Sequence, residues 1–122
     1  MPDHLFNDSL RFDLTIFSCT LQYLEHWEEL LELALKNSRF VLIMRTPVIN
    51  SISESIFIQE PLKGIYKDAS ASWPIQFLPR KKLLAILDLY SVGVFSAVDF
   101  EETFPYMGNQ HPHETYLVKS KE

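Results

Sequence analysis

The feature that most constrains the fold is an uninterrupted apolar run, Phe40-Val41-Leu42-Ile43-Met44. The run is too short for a stable helix, and it lacks the alternation of polar and apolar residues that marks a half-buried strand. Such a run is typical of a strand that is buried on both faces of a parallel sheet. Because Pro47 closes the segment, the sequence predicts a central strand of an α/β fold here.

A second strand and a helix precede this run. Phe12-Asp13-Leu14-Thr15-Ile16-Phe17-Ser18 is rich in aromatic and β-branched side chains, which favours a strand. From Tyr23 to Asn37, apolar side chains recur at helical spacing and glutamates fill the other face, which predicts an amphipathic helix. The order strand, helix, strand indicates a right-handed parallel crossover.

The second half of the chain opens with a segment that is predicted to be mostly irregular, residues 48–78, with one short strand at Ile56-Phe57-Ile58. A loop of this length in a compact domain is usually functional, for example as a lid. Pro79 suits the first position of a helix whose apolar residues share one face. Strands are then expected at Val92 to Phe100 and at Thr115 to Lys119, as an antiparallel hairpin with a long loop that carries four turn-forming residues: Pro105, Gly108, Asn109 and Pro112.

Composition narrows the class of protein. A chain of 122 residues predicts a single domain, residues 1–122, and the net charge of -5 disfavours a general nucleic-acid binder. Cys19 is the only cysteine, so no internal disulfide can form. The sequence has no signal peptide and no apolar run long enough to span a membrane, so we expect no membrane partner and a cytoplasmic location.

Several segments taken in order resemble one family of class I S-adenosylmethionine (SAM)-dependent methyltransferases, bacterial proteins often found among surface-polysaccharide genes. Residues 12–24 resemble the fourth-strand motif of that fold, a strand followed by a Leu-Gln-Tyr-Leu turn, and Arg45-Thr46-Pro47 follows the next strand. The further matches are Gln59, Ile65-Tyr66, Ser72-Trp73-Pro74 and the helix from Pro79. The resemblance covers almost all of residues 12–100 and implies the C-terminal half of a Rossmann-like fold, with helices packed on the sheet.

The N-terminal, cofactor-gripping half of that family has no counterpart in this sequence. There a glycine-rich turn lets the backbone approach SAM and an acidic residue binds the ribose; here Gly64, Gly93 and Gly108 are isolated. In the complete fold the strand at residues 12–18 lies in mid-sheet, so here it becomes an exposed apolar edge. This truncation predicts a homodimer, or a complex with a separate N-terminal half, joined along that strand.

The resemblance also implies site residues. Cys19, Thr20, Leu21, Gln22 and Tyr23 would line the methionine end of SAM; the alternative is a plain strand-to-helix turn. Arg45 and Thr46 follow the second strand, where Arg45 would hold a carboxylate or phosphate of an acceptor substrate or else bond carbonyls of the following loop. Gln59, Tyr66 and Trp73, with Phe77, would line the acceptor pocket or fasten the loop to the core.

No residue identifies itself as a catalytic base. His111 and His113 have a spacing that permits metal binding, but no further ligands are apparent, so loop histidines and no metal site are expected. His26 is interpreted as a helix-surface residue. Arg80-Lys81-Lys82 would serve as an anion site at a helix start or, as we expect, as a solvated charge cluster.

Two classes of function remain open on the sequence, besides a fragment with no function of its own. The first is SAM-dependent methyl transfer to an O or N atom of a small-molecule acceptor, once the missing half completes the chain. The second is a non-catalytic interaction module that is derived from a methyltransferase and dimerises through residues 12–18.

Overall fold

The computed structural model describes residues 11–51, 55–59 and 73–121. Its elements follow the order β1 (Phe12–Ser18), a 3₁₀ helix (Leu21–Tyr23), α1 (Trp27–Asn37), β2 (Ser38–Thr46), β3 (Val48–Ile49), β4 (Ser55–Gln59), β5 (Trp73–Pro79), α2 (Arg80–Tyr90), β6 (Ser91–Tyr106) and β7 (Asn109–Ser120). Within these ranges, no helix has the length and apolar character needed to cross a membrane.

Four strands form the main sheet, in the order β1-β2-β7-β6. β1 and β2 pair in parallel, as expected for a strand-helix-strand unit, and Phe17 lies opposite Ile43. β7 lies between β2 and β6 and is antiparallel to both. β1 is therefore one of the two edge strands, and among the described strands only β2 pairs with it.

The core lies on the face of this sheet that is covered by α1 and α2. Val41 and Ile43 of β2 and Val118 of β7 are fully buried there. Helical spacing places the buried side chains of each helix on one face, toward the sheet. Those of α1 are Trp27, Leu30, Leu31, Ala34 and Leu35, and those of α2 are Leu83, Ile86 and Leu87.

The opposite face of the sheet, called here the outer face, is apolar but open. The strand register aligns Ile16, Leu42, Leu117 and Phe95 in one row across all four strands. Ile16 is 54% exposed, Leu117 41% and Phe95 70%, and Leu42 is half-buried. The apolar run of β2 is thus fully buried on one face only, where the sequence predicted burial on both.

The segment predicted as a mostly irregular loop, residues 48–78, contains part of a second sheet. Its order is β3-β5-β4, with β3 parallel and β4 antiparallel to β5. The expected strand at Ile56-Phe57-Ile58 is confirmed, whereas the sequence missed β3 and β5. Pro74 and Pro79, which suggested loop, lie at the second and last positions of β5, near the strand ends where a missing N–H is tolerated.

The first helix begins later than predicted. The sequence pattern indicated a helix from Tyr23, but the chain makes a 3₁₀ turn over Leu21–Tyr23, becomes extended at Leu24 and enters α1 at Trp27. The side chain of Gln76 in β5 donates hydrogen bonds to the carbonyls of Leu21 and Leu24. These carbonyls are thereby bonded across to the second sheet, which explains the break.

The last two strands are longer than predicted, and the expected long loop between them is absent. They are joined by the two-residue turn Met107-Gly108, and both residues have positive φ, 53° and 79°. This combination is the requirement of a type I′ hairpin turn, and Gly108 meets it without a Cβ penalty. Pro105 and Pro112 lie within the pairing, so their sequence signal for a loop was wrong.

Candidate functional site

The carboxyl ends of β1 and β2 are adjacent, and each has a residue in the left-handed backbone region. Cys19, directly after β1, has φ 55°, and Arg45, the last residue but one of β2, has φ 52°. The Cys19 N–H donates a 3.0 Å hydrogen bond to the Met44 carbonyl, which ties the two turns together. Positive φ is uncommon for residues with a Cβ and concentrates at binding and catalytic sites.

Gln22 is a buried amide at the centre of this region. Its side chain is 2% exposed, and its Nε2 lies 3.2 Å from both the Arg45 carbonyl and the Cys19 Sγ. Its Oε1 is buried and has no hydrogen-bond partner among the described residues. A buried acceptor without a partner costs free energy, so this oxygen is a ready place for a donor from a ligand.

A cleft of about 420 Å³ opens beside Gln22. Cys19, Gln22 and Tyr23 form one wall and Arg45 lies next to them; the remaining wall comes from β5 and from the end of the β6–β7 pair. Phe77 of β5 and Phe104 of β6 give it an apolar side, with ring centroids 4.8 Å apart. Aromatic walls with a few polar groups are typical of small-molecule sites.

A smaller pocket of about 300 Å³ lies next to this cleft. Gln22, Tyr23 and Ile75 line both cavities, while Gln76 and Pro74 belong to the smaller one alone. The 3₁₀ turn and β5 therefore contribute to both cavities.

The structure brings together four of the residues that the sequence proposed for the site: Cys19, Gln22, Tyr23 and Arg45. Three others have different surroundings. Leu21 and Thr46 are fully buried, and Thr46 Oγ1 donates to the Met44 carbonyl. Thr20 Oγ1 donates to the Ser18 carbonyl. Gln59 and Trp73 are paired in the backbone register of β4 and β5, and Tyr66 lies outside the described residues.

Arg45 has a partner that the sequence did not suggest. Its Nε lies 3.6 Å from the Glu102 carboxylate, and both side chains are about half exposed. An exposed pair of this kind contributes little to stability. The pair nevertheless places one positive and one negative group at the mouth of the cleft.

Glu102 reaches the cleft because the pairing of β6 and β7 is interrupted. Asp99 is opposite His113 and Thr103 is opposite Pro112, so three residues of β6 bulge out between the two pairs. The Asp99 carboxylate accepts the backbone N–H groups of Glu101 and Glu102, at 3.0 and 3.3 Å. Bulges of this type redirect side chains and are frequent beside active sites. The only sequence signal for this bulge is Asp99, which precedes the two bonded amides by two and three residues.

The two neighbouring histidines are held by opposite nitrogens. His113 Nδ1 lies 2.8 Å from the Glu102 carbonyl, and His111 Nε2 lies 3.0 Å from the Tyr106 carbonyl. His113 lines the cleft. Among the described residues, no group of three or more His, Cys, Asp or Glu side chains could hold a metal ion.

The charges at the start of α2 form a structural cluster. Arg80 pairs with Glu114 of β7 and also donates to Asn50. The Tyr116 hydroxyl donates to the same carboxylate at 2.8 Å. Burial, and then the hydrogen bond and charge of Glu114, raise the pKa of Tyr116 well above its usual range. Arg80 is thus bonded to side chains of this cluster. Lys82 Nζ lies 4.0 Å from the Glu28 carboxylate of α1.

Two solved structures have a similar fold. The N-terminal domain of EvdMO1 with S-adenosylhomocysteine (SAH) bound gives a TM-score of 0.56 at 14% identity, over 95% of this chain and 49% of that chain. A structure of the same domain in the presence of SAH and D-fucose gives 0.53 at 13% identity, over 92% and 48%. The chain has the fold of half of an SAH-binding domain. No protein-family model matches the sequence, and no curated protein matches it.

The low identity limits this similarity to the fold, and the chain spans about half the length of the domain it matches. The described glycines, Gly93 and Gly108, do not line the cleft, and a Cβ at either position would have no heavy atom within 4 Å. The described residues that fit a bound molecule are those around Gln22.

Proposed function

We propose that this chain supplies part of a SAM-dependent methyltransferase, which transfers a methyl group to an O or N atom of a small-molecule acceptor when a separate N-terminal half completes the fold. The similarity to half of an SAH-binding domain carries the proposal. SAH is what remains of SAM after methyl transfer, so a domain that holds SAH fits that reaction.

Residues of the cleft fit one end of SAM. The Gln22 Oε1 is a buried acceptor without a partner, and the ammonium group at the methionine end is a donor of the kind it lacks. Cys19 and Tyr23 line the same wall. Nothing among the described residues fits the adenosine end, which is the part that a completing half would bind. SAM supplies an activated methyl group, and the contribution of this chain is to bind and orient the reactants.

The acceptor would occupy the cleft next to Arg45. That guanidinium is half exposed at the mouth and suits a carboxylate or phosphate group of the acceptor. Thr46 is buried behind it and supports the turn. Gln59, Tyr66 and Trp73 stay predicted acceptor residues. D-fucose is a probe for the hydroxyl-bearing part of the acceptor only, since it has no anionic group for Arg45; it is chosen because the EvdMO1 domain was also crystallised in its presence.

Isothermal titration of the purified chain with SAM and SAH tests the cofactor site. We expect SAH to bind the chain through its methionine end, more weakly than it would bind a complete fold, and Gln22→Met to weaken this binding about tenfold or more, because it removes an acceptor to a charged donor. Gln110→Met is the matched control, since Gln110 is exposed on the hairpin and bonds Thr103. Absence of binding by the wild-type chain at millimolar SAH would contradict the proposal.

The alternative function is a non-catalytic interaction module that dimerises through β1. It is favoured by the open edge of the sheet, where Leu14 and Ile16 are 47% and 54% exposed and no described strand pairs beyond β1. We propose that the edge pairs with another chain, a second copy where the N-terminal half is absent. A stable dimer that does not bind SAH would favour this alternative.

A further inference from the structure

The bulge in β6 fixes the orientation of one histidine. Three residues of β6, Phe100 to Glu102, stand between its pairings with His113 and Pro112. Two backbone N–H groups of that bulge are bound by the Asp99 carboxylate. The Glu102 carbonyl is thereby directed at His113 Nδ1, 2.8 Å away.

This contact determines which nitrogen carries the proton. A backbone carbonyl only accepts hydrogen bonds, so in the neutral ring Nδ1 must be the donor. The lone pair is then on Nε2, the nitrogen on the far side of the ring from Nδ1. Phe104 packs beside the ring, with centroids 5.3 Å apart, which further limits its rotation.

His113 lines the same cleft as Gln22, Tyr23 and Arg45. We propose that His113 is the general base of the reaction, an inference that rests on the proposed methyl transfer. Nε2 takes the proton from the acceptor hydroxyl or amine. The lone pair of the acceptor atom forms the new bond to the methyl carbon, and the bond from that carbon to the SAM sulfur breaks, leaving neutral SAH and a protonated imidazole.

The surrounding charges suit this role. The Glu102 carboxylate of β6 and the Arg45 guanidinium of β2 pair with each other at the mouth of the cleft. Asp99 is the cross-strand neighbour of His113 and its carboxylate is bound to backbone amides. Cys19 and Tyr23 are the other ionisable groups that line the cleft.

His111 provides an internal comparison two residues away. Its Nε2 faces the Tyr106 carbonyl at 3.0 Å, so the same argument gives it the opposite tautomer, with the proton on Nε2. Its ring packs against Phe104 and Tyr106, and it is not among the residues that line the cleft.

The ring nitrogens of both residues are observable by NMR of the wild-type chain with ¹⁵N-labelled histidine at a pH where both rings are neutral. We expect His113 with its proton on Nδ1 and His111 with its proton on Nε2, in the same spectrum. Asp99→Ala should release the bulge and return His113 to the tautomer mixture of free imidazole. A wild-type His113 with its proton on Nε2 would overturn the proposal, whether or not SAH binds.

Two matched variants test the reaction itself in a preparation in which the wild-type chain forms SAH from SAM, with D-fucose as acceptor probe. His113→Asn keeps a donor to the Glu102 carbonyl but loses the base, and His111→Gln keeps a donor to the Tyr106 carbonyl. We expect His113→Asn to be slower by about 100-fold or more, with SAH binding unchanged, and His111→Gln to match wild type. Equal rates for His113→Asn and wild type would overturn the role of His113 alone.

Loss of SAH binding by the wild-type chain would instead overturn the proposed function, and the role of His113 in it. If SAH binds and D-fucose is not methylated, the tautomer of His113 decides the proposal, because that measurement needs neither an acceptor nor a completing half.

Discussion

The two faces of the four-stranded sheet are made by alternate residues of the same strands, yet their surroundings differ. On the inner face, Val41, Ile43 and Val118 are fully buried beneath α1 and α2. On the outer face, Ile16, Phe95 and Leu117 are aligned in one row and exposed. Side chains of similar size and hydrophobicity thus lie in a packed core on one side and at an open surface on the other.

The difference shows that the apolar pattern of the strands is not explained by the core of this chain alone. A contiguous apolar surface on a monomer usually marks an interaction site. Here the open face adjoins the open edge of β1, and the similar SAH-binding domain is about twice as long as this chain. Both observations support the proposal that further polypeptide covers this side.

The largest expected effect separates two isoleucines of the same sheet. Ile43→Ala removes a fully buried side chain from the inner face and should lower the free energy of unfolding by about 3 kcal/mol. Ile16→Ala, on the outer face, should cost less than about 1 kcal/mol in the monomer. Urea denaturation measures both. An equal loss of unfolding free energy in the two variants would contradict the conclusion that the inner face is packed and the outer face is open.

A smaller effect concerns Tyr116, which is buried on the inner face and donates to Glu114 at 2.8 Å. Tyr116→Phe should cost about 1.5 kcal/mol at neutral pH, because it removes a hydrogen bond to a charged group. The raised pKa of Tyr116 favours its neutral form in the folded state. Its contribution is therefore present below the pKa of an unfolded tyrosine, about 10, and is lost as pH rises above it.

Denaturation at neutral and alkaline pH checks this prediction. The wild-type chain should lose more stability above that pKa than Tyr116→Phe does, since the variant has no hydroxyl to titrate at this position. The same loss in both proteins would show that burial of Tyr116 does not depend on its protonation.

The smallest effect compares two glycines. Gly93 pairs with Lys119, and a Cβ there would have no heavy atom within 4 Å, so Gly93→Ala should stabilise the chain by about 0.5 kcal/mol. Gly108 has φ 79° in the hairpin turn, and Gly108→Ala should cost about 1 kcal/mol. Thermal denaturation measures both changes: Gly93→Ala should raise the melting temperature and Gly108→Ala should lower it. Destabilisation by Gly93→Ala would indicate that the outer face at this position is already covered.

Sequence patterns predicted the elements that are set by local physics. The aromatic and β-branched strand β1, the apolar run in β2 and the amphipathic helix α2 are all present. The patterns failed where distant contacts decide the structure. α1 begins late because Gln76 of β5 bonds the carbonyls of Leu21 and Leu24, and nothing near those residues in the sequence reveals that contact.

The candidate site was predictable only in part, for the same reason. Cys19, Gln22 and Tyr23 follow β1, and Arg45 lies at the end of β2. The ends of these two parallel strands are adjacent, so the proximity of the four residues follows from the fold. The opposite wall depends on the bulge at Asp99 and on the Met107-Gly108 hairpin turn. The sequence predicted a long loop in place of that turn because of Pro105 and Pro112. Glu102 and His113 were therefore outside the predicted site.

Sedimentation equilibrium of the wild-type chain tests most directly the proposal that β1 pairs with another chain. We predict self-association at micromolar concentration, abolished by the double substitution Leu14→Lys and Ile16→Lys, because charges on an edge strand oppose pairing with another chain. Phe100→Lys, a similar change at an exposed residue of the other edge strand, should leave association unchanged. A wild-type chain that stays monomeric and stable throughout this range would contradict the account.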